Sequence, residues 1–154
     1  MIRCLLGSLL LLMCGGCRLG RPPISGVHYQ IGAVEAGSAE PAMPELIESG
    51  LGRALAEHSR LGSGPEVQVQ VLKSSTSVGA VGEGQQVHRI HLSLSVSVIS
   101  PEPRSLVVEG SRSYTVGDGE TIAASASRMA AVEALVMSLM KDAVDWILFA
   151  PGGA

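Results

Sequence analysis

Residues 90–98 read Ile-His-Leu-Ser-Leu-Ser-Val-Ser-Val, an aliphatic side chain alternating strictly with a polar one. Successive side chains of a β-strand point to opposite faces. The stretch is therefore satisfied as a strand that buries Ile90, Leu92, Leu94, Val96 and Val98 and turns His91, Ser93, Ser95 and Ser97 outward. A helix would scatter the same residues around its whole circumference. A sheet apolar on one face only implies antiparallel or mixed pairing with its cover on a single side.

The same period recurs on both sides. Upstream, Glu66–Leu72 (EVQVQVL) sets Val67, Val69 and Val71 against Gln68 and Gln70, and GAVGEGQQ at 79–86 reads as a flexible connection. Val27–Glu35 predicts a further strand, with Val27, Tyr29, Ile31 and Ala33 on one side and His28, Gln30, Gly32 and Val34 on the other. Downstream, SPEPRS at 100–105 is a turn carrying Pro101 and Pro103, and Leu106–Val116 is a strand stopped by GDGE.

Two segments change period. From Pro44 to Leu61 the stripe residues Leu46, Ile47, Leu51, Ala54, Leu55, His58 and Leu61 recur at threes and fours, and Pro44 suits a first helical position because its missing N–H would be unpaired there. GSGP at 62–65 ends that helix. From Glu120 to Leu148, Ile122, Ala126, Met129, Val132, Val136, Leu139, Ala143 and Ile147 form one stripe, while Ser127, Ala131, Ser138, Lys141 and Asp145 form the opposite side. The order is β-α-β-β-β-α, an α+β fold with two helices packed on one face of a four-stranded mixed or antiparallel sheet. The single domain spans 27–149, followed by a tail at 150–154.

The first 16 residues do not fit this fold. MIRCLLGSLLLLMCGGC combines a basic residue at Arg3, an apolar run from Leu5 to Met13, and Gly15 and Gly16 before Cys17. This is signal-peptide architecture, and the run is about half the 20 apolar residues needed to span a bilayer. A cysteine after two small residues suits lipoprotein processing, which joins diacylglycerol to the thiol and cleaves before it. Cys17 is the expected lipidation site. Cys14, preceded by Met13, is the runner-up, and ordinary secretion with a removed leader is the bland alternative. Arg18 follows rather than Asp, which favours the outer membrane over inner-membrane retention. Residues 17–26, rich in Gly and Pro, form a tether, with the domain expected on the periplasmic side.

Composition narrows the partners. Beyond the leader stand 14 acidic and ten basic residues, a net charge of −4, and aromatic residues make up 3% of the chain. Nucleic acid needs a basic patch and often stacking platforms, so it is a poor candidate. All three cysteines lie in the first 17 residues, leaving none for a disulfide or a thiolate metal site in the body.

Catalytic patterns are equally sparse. His88 and His91 fall on opposite faces of one strand, and His28 and His58 are isolated, so no metal is expected. The serines of the polar strand have no paired base or GxSxG turn, and the Gly-rich turns lack the lysine of a phosphate loop. A non-enzymatic protein without a cofactor is expected.

Three longer segments carry a family likeness: YQIGAVEAGSAEPAMPELIESGLGRALAEHSRL, a strand leading through an acidic proline loop to a helix; VHRIHLSLSVSVISPEPRSLVVEGSRSYTV, a long hairpin with a proline tip; and ASRMAAVEALVMSLMKDAVDWIL, a closing helix. In this pattern the chain resembles the lipopolysaccharide-assembly lipoproteins of the LptE type. It departs from them after the cysteine, where CRLG replaces glycine and an aromatic, and in the second hairpin strand, whose aromatic content is reduced to Tyr114. The resemblance implies an outer-membrane lipoprotein that partners an LptD-type β-barrel, sits in its hydrated lumen and assists lipopolysaccharide transport. It places Pro101 and Pro103 in a partner-binding loop and Arg104 and Arg89 against lipid phosphates, which guanidinium groups bind bidentately. The competing class is an auxiliary lipoprotein of an envelope ABC transporter, or another periplasmic protein-binding module.

Overall fold

The computed structural model describes residues 26–37, 39–82, 85–117 and 121–149. The leader at 1–16, Cys17, nearly all of the tether and the 150–154 tail lie outside the described residues. Six elements follow in the expected order: β1 (Tyr29–Glu35), α1 (Met43–Glu57), β2 (Leu61–Gly82), β3 (Gln85–Val98), β4 (Arg104–Gly117) and α2 (Thr121–Phe149). The strands form one sheet in the order β1-β2-β3-β4, with β1 parallel to β2 and the other pairs antiparallel. Both helices lie on one face, α1 over β1 and β2, α2 over β4 and β3, touching each other between.

The alternation of β3 carries the core. Ile90, Leu92, Leu94, Val96 and Val98 are all buried and meet Ile47, Leu51 and Leu55 of α1 and Val136, Leu139, Met140, Val144 and Ile147 of α2 in one cluster. Each such side chain contributes about 1.5–3 kcal/mol by leaving water. Gly110 of β4 lets α2 approach: a methyl group built there would come within 2.9 Å of Leu135 Cδ1 and 3.1 Å of Leu139 Cδ2.

Several boundaries move, each for a physical reason. Helix α1 ends at Glu57 and not at Leu61, because Ser59 takes a left-handed φ of 54° and the chain closes a Schellman motif. There the Ser59 N–H donates to the Ala56 carbonyl at 2.9 Å and the Arg60 N–H to the Leu55 carbonyl at 2.8 Å. Leu61, expected on the helix's apolar face, instead begins β2 opposite Tyr29 and is exposed. GSGP is an excursion within β2 rather than a terminator: Tyr29 pairs with Leu61 while Gln30 pairs with Glu66. Gly64 passes so close to the His28 carbonyl that any Cβ would collide with it.

In β1 a second irregularity places three steps, Ile31 to Val34, against two, Val67 to Val69. The extra residue turns Val34 inward and leaves Ala33 exposed, the reverse of the simple alternation.

The largest difference lies beyond the helices. The 79–86 segment was expected to be a flexible connection, but β2 continues to Gly82 and β3 begins at Gln85, so the two strands pair along a long arm. Upper β4 flanks it, His88 pairing with Tyr114 and Gln86 with Val116. On the helix-facing side of the arm the His88 and Tyr114 rings stack at 5.3 Å.

Helix α2 is long and apolar enough by composition to span a membrane. Its second half nonetheless packs in the core. The first turns do not: Ile122, Ala126 and Met129, expected on the buried stripe, are exposed, Ile122 at 88%, whereas Ala131, expected on the polar side, is buried. The buried stripe begins where the sheet's aliphatic residues begin.

Candidate functional site

The sheet face away from the helices is built from the polar half of each alternation: Gln68 and Gln70 on β2, His91, Ser93, Ser95 and Ser97 on β3, Glu109 on β4 and Glu35 on β1. Register sets these side chains in rows, with Gln68 opposite Ser97 and Gln70 opposite Ser95, and Ser93 opposite Glu109. The rows bond among themselves. Ser93 Oγ donates to Glu109 Oε1 at 2.9 Å, Gln70 Nε2 to Glu35 Oε2 at 3.3 Å, and Gln68 Nε2 to Glu66 Oε1 at 3.1 Å. Ser93, the buried polar residue of the core region, has its hydroxyl satisfied by that carboxylate. A depression of about 110 Å³ lies over Ala33, Glu35, Gln68, Gln70, Ser95 and Ser97.

Such a surface offers hydroxyl, amide and carboxylate groups in a fixed lattice, with Val107 exposed among them opposite Ser95. Among the described residues no three His, Cys, Asp or Glu side chains converge on a metal position. His88 and His91 do fall on opposite faces, the first towards the helices and the second on the polar side. His58, at the foot of α1, lies 3.5 Å from Asp145 and edge-on to the Phe149 ring.

The structure separates the two arginines that the resemblance brought forward. Arg104 opens β4 on the helix-facing side. Its Nη2 donates to the Ile147 carbonyl at 2.6 Å and its guanidinium lies 5.2 Å from the centre of the Trp146 ring. It therefore satisfies one of the unpaired carbonyls at the end of α2 and complements the helix dipole there. Arg89 is exposed on the opposite face, in the arm, across from Ser77 and Ser113. Eight residues of strand lie between Arg89 and Val98, the partner of Arg104, which is about 30 Å of extended chain. The two do not form one phosphate site.

Pro101 and Pro103 are both exposed in the β3–β4 turn. With Val27, Tyr29, Pro65 and Arg104, Pro101 lines a pocket of about 130 Å³. The proline turn is thus at the end where the tether enters, and the far-reaching hairpin tip is that of β2 and β3. Sequence reasoning missed a second feature, a cleft of about 310 Å³ where the helix layer gives way to the arm. It is bounded by Ala36, Ala39, Lys73, Thr76 and the Arg128–Glu40 ion pair. No periodic signal marks it.

No protein-family model matches the chain, and no curated protein does. Solved structures do resemble it. A minor lipoprotein from Acinetobacter baumannii superposes with a TM-score of 0.52 at 13% identity, over 82% of this chain and 98% of that one. A chain from Caulobacter crescentus described as a lipoprotein gives a TM-score of 0.50 at 16% identity, over 71% and 83%. At such identities the likeness concerns the fold: this α+β arrangement is one found in bacterial lipoproteins.

Proposed function

We infer that the chain is an envelope lipoprotein, acylated at Cys17, whose domain works by contact rather than catalysis. Its particular role, on this reading, is to partner an outer-membrane β-barrel of the LptD type in lipopolysaccharide assembly, as the LptE-type resemblance implies. The observation that carries the reading is the two-sidedness of one small sheet: one face is closed by both helices, while the other is left open as rows of Ser, Gln and Glu. A face of that kind is suited to a water-filled barrel lumen, whose inner wall is polar. Arg104 is engaged by the end of α2, so on this reading partner recognition falls to the polar face and the arm, with the exposed Pro101–Pro103 turn as the loop the resemblance implies.

Crosslinking from native membranes tests this. Photocrosslinkers at Gln70 and Ser95 are expected to capture a large outer-membrane barrel, and Cys17→Ala to abolish both palmitate incorporation and capture. Recovery of an inner-membrane ABC transporter instead would move the protein to the auxiliary class and overturn the barrel assignment.

A further inference from the structure

The tether enters the domain at a surface that differs in composition from the rest. Six element ends meet there: the starts of β1, β2 and β4, and the ends of β3, α1 and α2. The pairings Tyr29 with Leu61, Val98 with Arg104, and Arg104 with Ile147 fix the grouping. Of the chain's four aromatic residues, half-buried Trp146 and exposed Phe149 lie on this surface, with buried Tyr29 behind it. Leu61, Ile99 and Phe149 are exposed there at 47%, 44% and 37%.

The tether limits where this end can go. Nine residues, Cys17 to Ser25, precede the first described residue. Fully extended they span about 30 Å. The far tip of the arm is about 45 Å away along β3. A bilayer holding Cys17 is therefore always within reach of this end.

Taking the acylation of Cys17 from the functional reading, we propose that the tether-bearing end is a membrane-contacting surface that rests in the headgroup layer of the anchoring bilayer, with the tip of the β2–β3 arm held clear of that layer. Aromatic side chains with one polar neighbour favour that layer, and Trp146 beneath the Arg104 guanidinium is such a pair. Leu61, Ile99 and Phe149 supply the apolar area. Arg60 and Arg104 are balanced on the domain by Glu102 and Asp145, so apolar burial supplies the domain's own share of the contact, beside Arg18 and Arg21 of the tether.

The mature acylated protein has no free thiol, because Cys4 and Cys14 leave with the leader. A single nitroxide can thus be placed by Ile99→Cys at this end or by Gln85→Cys at the arm tip, in vesicles of phosphatidylethanolamine and phosphatidylglycerol. Collisions with oxygen and with a water-soluble nickel chelate then report depth. The expected result is a several-fold higher oxygen-to-nickel ratio at 99 than at 85, lowered by Phe149→Ser. Equal ratios in protein that floats with the vesicles overturn the proposal, as does a label at 99 that is shielded only in native membranes, where a protein partner would be the occupant. Failure to float overturns the acylation reading itself, and the contact with it.

Discussion

The lower half of the sheet and the arm above it are built from the same strands, yet they are held by different forces. Below, β3 presents Leu92, Leu94, Val96 and Val98 to two helices, and none of these is more than 4% exposed. Above, β2 carries Lys73-Ser-Ser-Thr-Ser-Val78, all exposed, and α2 passes the arm with its own first turns exposed. Backbone pairing runs through both regions without a break in β3 and β4. Hydrogen bonds therefore shape the arm, and apolar burial stabilises the domain. The difference teaches that a surface can be held out on a ladder of backbone bonds without a core of its own.

Substitutions can break or sharpen that contrast. Leu94→Ala should have the largest effect, lowering stability by about 2–5 kcal/mol through lost burial and a cavity, read as a shift in the urea midpoint. An equal cost from Thr76→Ala in the arm would erase the distinction. Gly110→Val should follow at about 1–3 kcal/mol, since the added methyls must displace Leu135 and Leu139 and so lift α2 from β4. Arg104→Met should cost about 1 kcal/mol by leaving the Ile147 carbonyl without its donor. A variant with unchanged stability but weakened lipopolysaccharide binding would restore Arg104 to the lipid site implied by the resemblance. Thr76→Ala and Ser77→Ala should stay within about 0.5 kcal/mol, while amide exchange in 73–89 runs faster than in 92–98.

What could be read from residues alone divides along the same line. The lower half was legible because burial imposes periodicity: alternation named the inward residues of β3 one by one, and the helical spacing found both helices. The arm was not, since exposed Ser, Thr, Gly and Gln on both faces leave no alternation to detect. Irregularities also hid. Nothing in YQIGAVE marks the extra residue that turns Val34 inward, and Gly62 looked like the end of a helix that Ser59 had already closed. The polar face was foreseen in its residues, though not in its bonds, such as Ser93 to Glu109. Arg104 was brought forward for lipid by the family resemblance alone, and its bond to the end of α2 had no signal in the sequence.

Everything assigned to function assumes that the domain works on a lipid tether. Intact mass and N-terminal analysis of the mature protein from isolated membranes tests this most directly. The expected species begins at Cys17 and is heavier than its polypeptide by the attached diacylglycerol and amide-linked acyl groups. A mature chain recovered from the soluble fraction at its bare polypeptide mass, beginning at any other residue, would contradict it.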